Sequence, residues 1–222
     1  MGSTGLVRHR SRVADRLRVV LAGSGLLRRA VRIYVGLEDR SGVPADAAES
    51  MIASSMTLIV AEELGADERA AISAAAAVAL VYAAAQIRDD ARFGDPAQAI
   101  NAGDLAFALA FGEAAAVGEA VLRRVVGAAV EQIERRASDG NRHGTARAPE
   151  GLVRCAFAAG GLVAGAPDDV MCSLDRIGPE VCGGRTESVL SACRRIGFSE
   201  EGANRVAKLC AALPPEPERR TG

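Results

Sequence analysis

From Ala74 to Ala85 every residue is apolar, and the surrounding stretch from Glu68 to about Arg92 holds neither glycine nor proline. A helix without a polar face has nothing to turn toward water, so this pattern predicts a central helix enclosed on all sides. Asp67 and Glu68 give it an acidic first turn, which suits the positive end of a helix dipole. Upstream, Val13, Leu17, Val20 and Leu21 recur at helical spacing within Val13 to Leu37, predicting one or two amphipathic helices divided near Gly23-Ser24-Gly25. Ser41-Gly42-Val43-Pro44 reads as a turn, and Ala45 to Leu64 as a helix stopped by Gly65.

Downstream, Phe93-Gly94-Asp95-Pro96 breaks the central helix. Asn101-Ala102-Gly103-Asp104 reads as the start of the next, with Leu105, Leu109 and Gly112 along one face. Further helices are expected from about Glu119 to Arg136, from Gly151 to Ala164, from Pro167-Asp168 to Gly178-Pro179, from about Arg185 to Arg195, and after Ser199-Glu200-Glu201. The polar run Ala137 to Pro149 reads as a flexible loop, and Pro215 to Gly222 as a disordered tail. About seven to nine helices without a repeat period predict a single all-α domain over residues 1–214.

Composition supports that class. A chain of 222 residues, 49% hydrophobic, can bury one substantial core, and 24 glycines beside 3% aromatics favour closely packed helices over sheets. The net charge of -1 lacks the broad basic footprint of a nucleic-acid binder, so no nucleic acid is expected. The one basic stretch is residues 1–40, with nine arginines against Asp15, Glu38 and Asp39. A solvated helix face is its plain reading, and contact with a diphosphate or a membrane the alternative.

Cys155, Cys172, Cys182, Cys193 and Cys210 form no CxxC pair and read as buried free thiols. No secretory segment opens the chain, and charged residues interrupt its apolar runs before a membrane-spanning length. A cytoplasmic protein without a transmembrane segment is expected.

Candidate chemistry sits at the end of the central helix, in Ile87-Arg88-Asp89-Asp90. Two acids at the negative end of a helix are disfavoured by its dipole unless a cation compensates, and adjacent carboxylates can hold a divalent ion against a diphosphate. One turn earlier, Ala84 and Ala85 are small enough to leave an apolar channel, or are close-packing residues. Asp168 and Asp169, with Asp175 nearby, could imitate a second acidic motif, but Pro167 places the pair in a first helical turn as capping acids. Asp104 likewise reads as a helix-start acid, and Gln132 as part of an exposed polar face.

The order of several segments resembles the trans-isoprenyl diphosphate synthase family over roughly residues 48–217. These are Met56 to Gly65, the alanine-rich helix ending in Ile87-Arg88-Asp89-Asp90, Ala102-Gly103-Asp104-Leu105-Ala106, Leu152 to Gly178, and Ile196-Gly197-Phe198 through Ala211-Ala212-Leu213-Pro214. The resemblance implies an all-α bundle of the isoprenoid synthase type in which magnesium ions bridge two aspartate-rich helices and an allylic prenyl diphosphate. By the same resemblance Asp89, Asp90 and Asp95 would be metal ligands, and Ala84, Ala85 and Gln132 would face the substrate.

The departures from that family are specific. Phe93 stands where the first motif has its third aspartate, Glu49-Ser50-Met51-Ile52-Ala53-Ser54 replaces a basic anion clamp, and Ala148-Pro149-Glu150 stands where a lysine is expected. The helix carrying the second motif is read as deleted between Gly178 and Arg185. The expectation is therefore a non-catalytic small or regulatory subunit of a heteromeric prenyl diphosphate synthase, with no residue assigned a catalytic role. It would form a homodimer, or a heterodimer with a full-length synthase, through helices from Asn101 to Arg136. A magnesium-dependent terpene cyclase or diphosphate lyase using Asp89 and Asp90 is the alternative, and an isoprenoid-binding protein a further one.

Overall fold

Asp67 accepts a hydrogen bond from the Ala70 amide at 2.9 Å, and this cap opens the long apolar helix where its acidic first turn begins. The computed structural model describes residues 3–38, 47–89, 95–138 and 150–213. Among the described residues there are ten α-helices and no strand: α1 (Ser3–Val20), α2 (Leu26–Tyr34), α3 (Ala47–Glu63), α4 (Glu68–Asp89), α5 (Pro96–Val117), α6 (Glu119–Ser138), α7 (Glu150–Val163), α8 (Asp168–Cys182), α9 (Thr186–Arg195) and α10 (Glu200–Ala211).

Helix α4 is the axis. Every residue from Ala74 to Ala84 is at most 1% exposed, because α1, α2, α3, α5, α6 and α7 all pack against it. Its alanines let those helices approach closely, and the larger Leu80, Val81, Tyr82 and Ile87 fill the gaps between them. Helices α8, α9 and α10 form a second layer, with α8 on α7 and α10 returning to α3. A close approach to backbone lies between α3 and α7, where a side chain at Gly160 would put a Cβ 2.7 Å from the Thr57 carbonyl oxygen and from Val60 Cβ.

Several predicted boundaries hold and others move. Gly65 ends the turn after α3 with φ +78°, as a terminating glycine should. Helix α5 begins at Pro96 rather than at Asn101, because Asp95 caps it and proline at the first helical position has its φ preset and its missing N–H unneeded. Helix α8 passes through Pro179, read from sequence as its terminator, and stops at Gly183 and Gly184. Division at Gly23, with φ +113°, makes α1 and α2 separate helices. Residues 137 and 138 extend α6, while the rest of the expected loop, the Ser41 to Pro44 turn and the C-terminal tail lie outside the described residues.

Two helices, α4 over Glu68–Arg88 and α5, are long and apolar enough to cross a membrane, contrary to the expectation that charges interrupt every such run. In α4, 78% of the most apolar window is buried within the protein, as befits a core helix; in α5 the figure is 39%. The arginines of the N-terminal stretch divide by face. Arg16 makes a two-pronged pair with Glu113 of α5 at 2.7 and 2.8 Å. Arg12 bonds Glu62 at 2.8 Å and Glu68 at 2.5 Å, and His9 lies 2.7 Å from Glu62, tying α1 to α3 and α4. On the same side, Glu63 accepts from Arg205 and from the Ser199 amide and hydroxyl, which fixes the start of α10.

Two predictions follow from this packing. Gly160→Ala should lower stability by about 1–3 kcal/mol in chemical denaturation, because the obstacles are backbone and a Cβ rather than the end of a flexible side chain. The second concerns pH. Burial raises the Glu62 carboxyl, but the hydrogen bonds and charges of His9 and Arg12 outweigh it and bring it to about 2 from an ordinary 4.5. Its contribution is then fully present above about 4.5 and lost as pH falls through about 2. Glu62→Gln should be less stable than the parent at pH 6, with the difference shrinking below pH 4.5 in a pH series of denaturation curves.

Candidate functional site

The acidic end of α4 is set by what precedes it. Arg88 turns back onto α5, donating to Asp104 at 2.9 Å with its guanidinium 5.8 Å from the centre of the Phe107 ring. Gly103 makes room for this arm, since a Cβ there would lie 2.6 Å from Arg88 Cγ. The four residues form a buckle between the C-terminal end of α4 and the first half of α5. Asp104 is thus the carboxylate of an interhelical ion pair in mid-helix, not a helix-start acid. The sequence reading failed because α5 begins two turns earlier.

Asp89 is the last residue of α4, and Asp90 lies outside the described residues. Asp95 accepts from the Ala97 amide at 2.9 Å as the N-cap of α5. Ala84 and Ala85 are buried against neighbouring helices. Gln132, at 5% exposure, is part of the interior of α6, so the exposed-face reading does not hold. The segment aligned with the anion clamp lies inside α3, where the Ser50 hydroxyl donates to the Tyr34 carbonyl at 3.2 Å and Ser54 to Met51 at 3.1 Å. These are buried hydroxyls satisfied by backbone, not a surface for a diphosphate.

The far side of the bundle carries the other acids. Asp168 and Asp169 are exposed in the first turn of α8, as Pro167 implied. Asp175 receives Arg124 of α6 at 2.6 Å and Arg154 of α7 at 2.5 Å. Burial raises its carboxyl, but the two guanidiniums more than reverse that and lower it. The Asp175 bonds explain it as a structural bridge. Between Gly178 and Arg185 the one acid is Glu180, which pairs with Arg185 at 2.5 Å. Gly184, with φ +68°, ends the segment.

Among the described residues no three acids, histidines or thiols converge to hold a metal ion. The described donors therefore do not fit a magnesium cluster, and any contribution of Asp89 and Asp90 would need further ligands. The thiols offer no alternative chemistry. Cys155, Cys182, Cys193 and Cys210 are buried, and burial pushes Cys155 and Cys193 up to about 12, which keeps them neutral at ordinary pH. Cys172 is exposed, against expectation.

The helix order and packing match solved structures. The bundle superposes on the polyprenyl synthetase of Streptomyces coelicolor A3(2) with a TM-score of 0.64 and 20% identity, covering 96% of this chain and 80% of that one. The fold is that of the trans-isoprenyl diphosphate synthases. A ligand-bound deletion mutant of the heterotetrameric geranyl pyrophosphate synthase of mint gives 0.63 at 16% identity, covering 93% of this chain and 98% of that one. The geranyl diphosphate synthase small subunit of Antirrhinum majus gives 0.59 at 19%, covering 97% and 95%. No protein-family model matches the chain, and no curated protein sequence does.

Within this isoprenoid-synthase fold the Arg88 buckle was not visible in the sequence, because its partners are sixteen residues apart across a break. A spacing of Arg88 from the Gly103-Asp104 pair carries no local signal. A double-mutant cycle over Arg88→Ala and Asp104→Ala should give a coupling of about 0.5–1 kcal/mol, since the pair is partly exposed.

Proposed function

We propose that this chain is a small, non-catalytic subunit of a heteromeric prenyl diphosphate synthase, paired with a full-length partner that performs the chemistry. The observation that carries this reading is the short end of α8. Glu180 is the one acid between Gly178 and Arg185, and Arg185 already neutralises it. A diphosphate leaving group needs its developing charge matched by metal ions, and a single acidic pair on α4 supplies one side of such a cage.

The outer surface supports the pairing half of the reading. Helix α5 is apolar along its length yet mostly uncovered, and its two charged residues, Asp104 and Glu113, are neutralised by Arg88 and Arg16. Ile100 of α5 and Val130 and Ile133 of α6 are 44–45% exposed. The exposed apolar residues of these two adjacent helices, beside the exposed Glu119–Arg123 pair and Glu134 of α6, are suited to burial against another subunit. The likeness to the Antirrhinum small subunit, nearly full-length in both directions, is of the same sense.

In this reading magnesium and the prenyl diphosphate are held chiefly by the partner, with Asp89, Asp90 and Asp95 of this chain at most auxiliary. The purified chain with magnesium should release no pyrophosphate from farnesyl or geranylgeranyl diphosphate. Mixed with a complete prenyl diphosphate synthase, it should form a complex by size-exclusion chromatography and alter the product distribution. Val130→Asp with Ile133→Asp should weaken that complex by at least about tenfold. Turnover by the chain alone that is abolished in Asp89→Ala, Asp90→Ala would overturn the proposal and establish a magnesium-dependent cyclase or diphosphate lyase.

A further inference from the structure

The turn between α1 and α2 is built unlike the rest of the surface. Val19 and Leu26, on either side of it, are 66% and 64% exposed, more than any large apolar residue of α5 or α6. Its backbone carbonyls are nevertheless all engaged from Val19 to Gly23 save that of Ala22. The Val19 carbonyl accepts from the Ala22 amide, Arg28 donates to the Val20 carbonyl at 2.8 Å, and Arg32 donates to the carbonyls of Leu21 at 3.1 Å and Gly23 at 2.8 Å. A helix C-terminus ordinarily leaves such carbonyls to water, which makes it unsuited to a poorly hydrated surface.

Here guanidiniums replace that water in a turn flanked by two exposed apolar side chains. The charge around the tip is positive. Arg18, Arg28, Arg29 and Arg32 stand against Asp15 and Glu38, which pair with Arg18 and with Arg29 and Arg32. Arg18 and Arg29 are themselves well exposed. Arg16 is committed to the buried Glu113 of α5.

We propose that the α1–α2 turn docks on an anionic lipid surface, with Val19 and Leu26 entering the headgroup layer and the exposed Arg18 and Arg29 meeting lipid phosphates. Apolar contact and positive charge act together there: two small side chains give weak adhesion alone, and each basic residue near an anionic surface adds to it. The excess of guanidiniums beside exposed apolar tips is the charge complement of an anionic bilayer. The inference stands whether or not the subunit reading holds.

Vesicle flotation with the full chain tests it. Vesicles mixing phosphatidylcholine with phosphatidylglycerol should carry the protein at low salt, and high salt should release it. Vesicles of phosphatidylcholine alone should not. Val19→Ser with Leu26→Ser, both at exposed positions, should bind about tenfold more weakly with an unchanged circular dichroism spectrum. Ile100→Ser on α5 should bind as the parent does. Failure to bind anionic vesicles at low salt, equal binding to neutral ones, or loss in Ile100→Ser without loss in the turn variant would each overturn the assignment.

Discussion

Everything else in this bundle is arranged around the close approach of helices to α4. Each alanine there contributes little apolar area, so stability depends on enclosing many of them completely rather than on a few large side chains. Enclosure by small residues also defines the positions of helices poorly along their axes, since a smooth surface offers few ridges to lock against. Gly160 against α3 and Gly103 against Arg88 fix the depth of contact at two places. Register is fixed by charged pairs at the edges: Arg16 with Glu113, Arg12 and His9 with Glu62, Arg205 with Glu63, Arg88 with Asp104, and Arg124 and Arg154 with Asp175.

Those pairs join helices far apart in sequence, and this explains which parts of the structure were legible beforehand. The burial of α4 follows from an apolar run with no polar side, and the helix stop at Gly65 follows from glycine's freedom at positive φ. Local chemistry misled where two readings of one residue compete. Pro96 breaks the preceding helix but equally begins the next, and Asp95 decides the matter by accepting the Ala97 amide. Pro179 is accommodated inside α8, where Gly178 lets the helix lie against the Arg154 side chain. The burial of Gln132 depends on packing around α6 and has no signature in its neighbours along the chain.

The candidate site was legible as an acidic pair, but its surroundings were not. Arg88, directly before Asp89, reaches back to Asp104 and Phe107. The capped Asp95 and the single paired acid at the end of α8 weigh against a complete metal cage.

The two long apolar helices show how composition alone leaves a role undecided. Both α4 and α5 could cross a membrane by length and composition, yet one is enclosed and the other presents most of its apolar window to the outside. The difference comes from position, because α4 is surrounded by six helices and α5 lies at the margin. A helix at the margin of a bundle would be expected to carry charges outward, and of the two charges on α5 only Asp104 is exposed while Glu113 is buried, each tied to a neighbouring arginine. Neutralised charge on an apolar helix lowers the desolvation cost of covering it. The same economy appears at the α1–α2 turn, where arginines satisfy the carbonyls that covering would otherwise strand. There they remain positively charged, so the two regions differ in character: α5 and α6 present exposed apolar residues with charges of both signs nearby, whereas the turn carries an excess of positive charge.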